Sequence, residues 1–111
     1  MGKIDYDQFE KVEMRVGRVI RVEDFPRARK PAYKLWIDFG ELGIKKSSAQ
    51  LTALYTKEEL TGRLVVAVTN FTPRQVADFM SEVLVLGVAG ANDEVILLAP
   101  DRDAPLGGRV F

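Results

Sequence analysis

The sequence predicts an all-β domain with a few short helices, arranged as a small five-stranded barrel. Two observations carry this expectation. Short runs rich in β-branched and aromatic residues recur along the chain, separated by Gly, Pro, Asn and Asp turn signals. The first and longest run also changes the phase of its apolar alternation partway, as a strand bending around a small barrel does. A chain of 111 residues is read as one domain over 1–111.

Each element has its own local signal. Residues 5–11 form an amphipathic N-terminal helix presenting Tyr6 and Phe9. Residues 14–22 form the first strand, apolar with Arg15, Arg18 and Arg21 interleaved, and the phase shift around Gly17 suggests a β-bulge there. Residues 33–39 alternate cleanly, with Tyr33, Leu35, Ile37 and Phe39 on one face and Lys34, Trp36 and Asp38 on the other. The first set is the core face, so Trp36 points away from the core. Residues 44–51 are a third, more polar strand. Thr56 with Glu59 three residues on is a capping box, and Gly62 closes that short helix. Residues 63–70 and 82–89 are strongly strand-like, and 94–99 returns beside the latter through the Gly90-Ala91-Asn92-Asp93 turn. Thr72-Pro73-Arg74-Gln75, with Pro at the first helical position, predicts a second short helix. Five strands with a helix between the third and fourth fit an OB-like barrel, which binds ligands on strands two and three and the adjoining loops.

Composition excludes several chemistries. There are no cysteines and no histidines, which removes disulfides, Cys- or His-based metal sites, thiol nucleophiles and imidazole catalysis. The carboxylate pairs Glu23-Asp24, Glu58-Glu59 and Asp93-Glu94 each fall at a turn or helix start. Gly107-Gly108 lacks the lysine and helix of a phosphate loop. No catalytic residue, metal or cofactor is expected. The first residues are too charged for a secretory leader, and the apolar run 83–91 is too short to span a bilayer. A soluble cytoplasmic protein without membrane insertion is expected.

Acids and bases balance at 16 each, yet they are unevenly placed. Residues 27–46 carry Arg27, Arg29, Lys30, Lys34, Lys45 and Lys46 against Asp38 and Glu41. Residues 76–104 carry Asp78, Glu82, Asp93, Glu94, Asp101 and Asp103 against Arg102. If the fold keeps these apart, one face is basic and another acidic. Within the basic stretch, 28–36 reads ARKPAYKLW, setting Arg29, Lys30 and Lys34 among Tyr33 and Trp36. Cations interleaved with aromatics suit an extended polymer, and equally an edge strand with solvated cations. At the two ends, Ile4, Tyr6 and Phe9 and then Leu106, Val110 and Phe111 lie outside the predicted barrel. They form either a homodimer interface or plugs for the barrel ends.

The runs MRVGRVIRVEDFPRARKPAYKLWIDFG, KKSSAQLT, GRLVVAVTNFTPRQVADFMSEVLVLGV and VILLAPDRDAPLGGRV resemble the CsaA proteins, bacterial secretion-related chaperones within a wider group of OB-fold tRNA-binding domains. The resemblance covers roughly residues 9–111. The wider group usually carries an HPNADKL-like entry to strand two, where this chain has FPRARKPAYKL. It usually has V-S-G-L where Ser47-Ser48-Ala49-Gln50-Leu51 stand here. Asn70, Pro73 and Arg74 keep the group's motif, but Asp78 and Glu82 then stand where an RNA binder prefers cations.

The CsaA resemblance implies a homodimer that binds unfolded or presequence-bearing polypeptides and engages the secretion motor SecA. Under it, Phe79 and Met80 line an apolar groove after the 72–75 helix. Trp36 forms a wall, Arg29, Lys30 and Lys34 a cationic rim, and Asp78 and Glu82 receive a presequence's basic end. Ordinary barrel core is the alternative for Phe79 and Met80. Asn70 is a ligand contact or a turn brace, and Arg74 a ligand contact or a solvated cation. Lys46, Ser48 and Gln50 belong to the charged rim, and Ser47, Ser48 and Gln50, along strand three, offer hydroxyl and amide groups to an extended peptide or to bases, or form a solvent-facing stripe. The rival function is tRNA binding through the basic patch, and an adaptor module is a third.

Overall fold

A computed structural model describes residues 2–111. Helix α1 (Tyr6–Glu10) leads into the long strand β1 (Met14–Asp24). Strand β2 (Tyr33–Asp38), a 3-10 turn (Gly40–Leu42), β3 (Ile44–Ala49), helix α2 (Lys57–Leu60) and β4 (Leu64–Val68) follow. Then come β5 (Arg74–Val76), β6 (Phe79–Ser81), β7 (Leu84–Val85), β8 (Gly87–Ala89) and β9 (Val95–Leu97).

The main sheet runs β3-β2-β1-β4-β7, all neighbours antiparallel. It curls until residues after β6 reach β3, where the Glu82 and Val83 amides both donate to the Lys46 carbonyl. The result is a nearly closed five-stranded barrel, as the sequence predicts. Its core is Val19, Leu35, Ile37, Phe39, Leu51, Leu60, Val65, Ala67 and Val83. Leu35, Ile37 and Phe39 are fully buried, while Trp36 faces the other way. Thr56 caps α2 as its sequence demands: its hydroxyl accepts from the Glu59 amide, and the Glu59 carboxylate accepts from the Thr56 amide. Gly62 follows at φ +91°.

Four local expectations are corrected. The bulge is not at Gly17. The β1–β4 register runs unbroken through Gly17, and the β1–β2 register slips between Val19 and Arg21, leaving Ile20 as the extra residue. Gly17 is required for another reason. A Cβ there would stand 2.5 Å from Ile37 Cγ2 and 2.7 Å from a Phe39 ring carbon.

The strand expected over 82–89 is broken at Leu86. Its amide donates to Val66 in the barrel while its carbonyl accepts from Leu98, so the chain changes partner there. β8 then pairs only with β9, through the expected 90–93 turn.

The helix expected at 72–75 is absent. Arg74–Val76 is a strand paired with Phe79–Ser81. One turn of helix is unstable without an apolar face to dock. As a hairpin, the segment places Val76 and Phe79 together against Phe25 and Trp36.

The C-terminal tail is not outside the barrel. β2 pairs with β1 only from Arg18 onward, which leaves the first residues of β1 with an open edge. The tail fills it. The Val16 amide donates to Gly108, the Gly107 amide to Val16, and the Val110 amide to Met14.

Candidate polymer-binding groove

The outer face of β2 carries the residues that the core face rejects. Because side chains alternate along a strand, Lys34 and Trp36 point out where Leu35 and Ile37 point in. Cross-strand pairing sets Trp36 between Arg21 and Lys46, and Lys34 between Glu23 and Ser48. The Arg21 guanidinium lies 4.6 Å from the Trp36 ring centroid and also pairs with Glu23. Beneath this row is a second apolar cluster of Phe25, Ala32 and Phe79, with Ala28, Trp36 and Val76 packed on it. Phe79 meets Phe25 and Trp36 edge-on, at centroid distances of 5.6 and 5.8 Å. Lys34 Nζ sits 5.0 Å from the Phe25 ring and 5.5 Å from Phe79, and Lys46 Nζ 5.3 Å from Phe79. These aromatics are therefore a cation-capped platform with little open surface.

Beside the platform runs a groove of about 450 Å³. One wall is the loop before β2, with Ala28, Arg29, Lys30 and Ala32. The other is the β5–β6 hairpin, with Arg74, Gln75, Val76 and Ala77. Ser48 and Gln50 contribute from β3 and the residues after it. Ala77 turns the hairpin at φ +51°, unusual for a residue with a Cβ. The lining mixes small apolar groups with three cations and no acid.

The predicted site residues divide accordingly. Arg29, Lys30, Ser48, Gln50 and Arg74 line the groove. Trp36, Phe79, Lys34 and Lys46 form the adjoining platform. Ser47 is corrected: side chains alternate along β3, so beside Ser48 it is fully buried on the core face and meets neither ligand nor solvent. Met80 is 41% exposed and pairs with Gln75, on the opposite face of the hairpin from Phe79, so the two do not share a pocket. Asn70 stands elsewhere: its Oδ1 accepts from the Glu13 amide and its Nδ2 donates to the Lys11 carbonyl, bracing the entry to β1.

The two acids expected to receive a basic peptide are both engaged. Glu82 Oε1 accepts from the Lys46 amide, and the Ser81 hydroxyl accepts from the Ser48 amide, so side chains complete the edge of β3. Asp78 pairs with Arg27 at 3.0 Å. That contact holds the Asp78 carboxyl below its usual range, against a smaller opposing effect of burial. It also joins the basic and acidic stretches of the chain, which the sequence left free to occupy separate faces. Sequence reading missed Ala28, Ala32, Gln75, Val76 and Ala77. The only available signal was their adjacency to Arg29 and Arg74.

At the opposite end, α1 and the tail come together. Tyr6, Phe9, Glu10, Arg109, Val110 and Phe111 line a small cleft, and Arg109 donates to the Glu10 carbonyl. Ile4 and Tyr6 are about two-thirds exposed and Phe111 fully so. Leu106 and Val110 are half-buried. Val88, Ile96 and Leu98 add further exposed apolar surface that sequence reading did not single out. No helix among the described residues is long and apolar enough to cross a membrane.

Residues 14–109 match the family model described as a putative tRNA binding domain. Among curated proteins, the methionine--tRNA ligase of Leptospira biflexa is 41% identical over 106 residues, covering 96% of this chain and 15% of the ligase. The chain thus spans about one-seventh of the length of the curated relatives it matches. Among solved structures, the chaperone CsaA of Bacillus anthracis is 45% identical with a TM-score of 0.94, covering 99% of this chain and 100% of that one. The CsaA chaperone protein of Picrophilus torridus is 49% identical with a TM-score of 0.92, covering 98% and 100%. The chain therefore belongs to the family of putative tRNA-binding domains and, within it, groups with the CsaA proteins.

Proposed function

We propose that this protein is a homodimeric holding chaperone of the CsaA type that seats extended polypeptide segments in the groove between the 28–32 loop and the β5–β6 hairpin. The observation that carries this reading is the end-to-end match to two chaperones of closely similar length and the same fold, and a groove of this chain beside β2 and β3 supports it. Ala28, Ala32, Val76 and Ala77 give the two walls apolar surface that accepts varied side chains, and Ser48, Gln50 and Gln75 offer hydrogen bonds to a client's backbone. Arg29, Lys30 and Arg74 form the rim. Holding is passive: transient burial of an exposed segment, with no covalent step and no cofactor. In this reading the clients are unfolded or precursor polypeptides awaiting export, SecA is the receiving partner, and the protein acts in the cytoplasm. The second copy docks through Ile4, Tyr6, Phe9, Leu106, Val110 and Phe111, where α1 and the tail share a cleft and Ile4, Tyr6 and Phe111 are exposed.

The test is calorimetric titration with an unfolded, presequence-bearing polypeptide, with Trp36 fluorescence read in parallel. Saturable binding with a change in emission is expected, and no heat and no emission change would overturn the groove assignment. Sedimentation should give twice the chain mass, returning to one chain on Tyr6→Asp with Phe111→Asp.

A second reading, tRNA binding, is favoured by one observation: the groove lining holds three cations and no acid. It predicts tRNA affinity that falls steeply with salt, with the slope reduced by about three when Arg29, Lys30 and Arg74 are replaced by Ala.

A further inference from the structure

Asp78 is the only acid in either wall segment of the groove, 25–32 or 71–78. It stands at the tip of the β5–β6 hairpin, directly after Ala77, and its carboxylate takes Arg27 from the opposite wall at 3.0 Å. The pair therefore spans the two walls. Both side chains are well exposed, Arg27 at 73% and Asp78 at 47%. Ion pairs this open contribute little to folding. The pair's effect is instead on the charge of the rim. With Arg27 engaged, Arg29, Lys30 and Arg74 remain in the groove lining, and Asp78, next in the chain to the lining residue Ala77, sets a fixed negative charge beside that lining.

We propose that Asp78 is a specificity determinant, an internal carboxylate that occupies Arg27 and sets the groove against RNA in favour of polypeptide. A phosphate backbone entering the groove must displace Asp78 from Arg27 or pass close to a like charge, and each costs affinity. An extended polypeptide backbone carries no net charge and meets no such obstacle. The inference rests on the groove being the ligand site. It deepens that reading by naming what excludes the competing polymer.

The experiment compares wild type, Asp78→Asn and Arg27→Ala in titrations with bulk tRNA from 50 to 200 mM salt, roughly the range over which counterion release is read. An uncharged unfolded polypeptide serves as a second probe. Asp78→Asn should bind tRNA about tenfold more tightly at the low-salt end, with a salt slope steeper by about one, because it frees one cation and deletes one repulsion. Arg27→Ala should not strengthen tRNA binding, and neither variant should change polypeptide affinity by more than about twofold, since an exposed pair does little for the fold. If the pair only braces the groove, both variants move tRNA affinity in the same direction, and the proposal is wrong. No gain for Asp78→Asn, including no tRNA binding by any of the three proteins, overturns it equally. Failure of the wild type to bind polypeptide would count against the chaperone reading, while the tRNA arm still reads the role of Asp78.

Discussion

The Trp36 indole meets the Phe79 ring edge-on, with centroids 5.8 Å apart and planes at 74°. This contact ties β2 of the barrel to a hairpin that has no strand partner in the main sheet. The groove wall is thus held from below by aromatic packing, and its geometry depends on a cluster separate from the barrel core.

Removing Phe79 should loosen the wall and leave the barrel standing. Phe79→Ala is expected to cost about 3 kcal/mol, the lower end for a buried aromatic because the cluster is small and near the surface. Denaturant unfolding followed by Trp36 fluorescence measures this, and native emission should shift as the indole loses a neighbour. An unchanged midpoint would mean that the hairpin is held by other contacts.

Gly17 tests a packing claim. Its backbone passes so close to Ile37 and Phe39 that an added methyl has no room. Gly17→Ala should destabilise by about 2 kcal/mol through overpacking, read as a lower thermal midpoint. A neutral result would show that the two buried side chains can shift aside.

Asn70 separates bracing from binding. Replacing it by Ala removes both bonds to the β1 entry, costing about 1–2 kcal/mol. Polypeptide and tRNA affinities, measured well below the unfolding temperature, should stay as in wild type. Lost affinity at full folding would put Asn70 in the ligand site.

The pH dependence has a definite sign. Glu13, Glu59 and Asp78 have folded-state carboxyl values below their ordinary ones, held down chiefly by bonds to Arg15, to Thr56 and to Arg27. A lowered carboxyl stabilises the fold above the unfolded value, and that stability is lost as pH falls through the folded value. Lys57 is raised by its bond to Asp24, so its contribution is present below the ordinary lysine value and lost at higher pH. With no histidine, stability should be nearly flat between about pH 5.5 and 8 and fall below about pH 4.5. Denaturant midpoints across that range check this, and a step near neutrality would contradict it.

Much of the barrel was legible because its signals are local. The alternation in 33–39 fixes which side chains enter the core, so Leu35 and Ile37 could be assigned before any partner strand was known. The Thr56 box works within four residues and needs no tertiary context. The 72–75 segment shows the converse. Its Pro-led turn is a valid helix start, yet the apolar partner of Val76 is Phe79, and both belong against Phe25 far back in the chain.

The candidate site was legible in composition and not in arrangement. By itself the sequence determined the all-β class, the core face of β2, the capped helix α2, and the concentration of cations and aromatics before and within β2. Only the tertiary structure decided that Arg74 faces Arg29 and Lys30 across one groove. Likewise, only the structure placed Phe79 beneath Trp36 while Met80 turns away, and gave Asp78 to Arg27 and Glu82 to the edge of β3. The reason is the range of the forces involved. Side-chain periodicity and capping act within a few residues, whereas the Arg27–Asp78 contact joins residues 51 apart in sequence, and its existence depends on how the whole barrel closes.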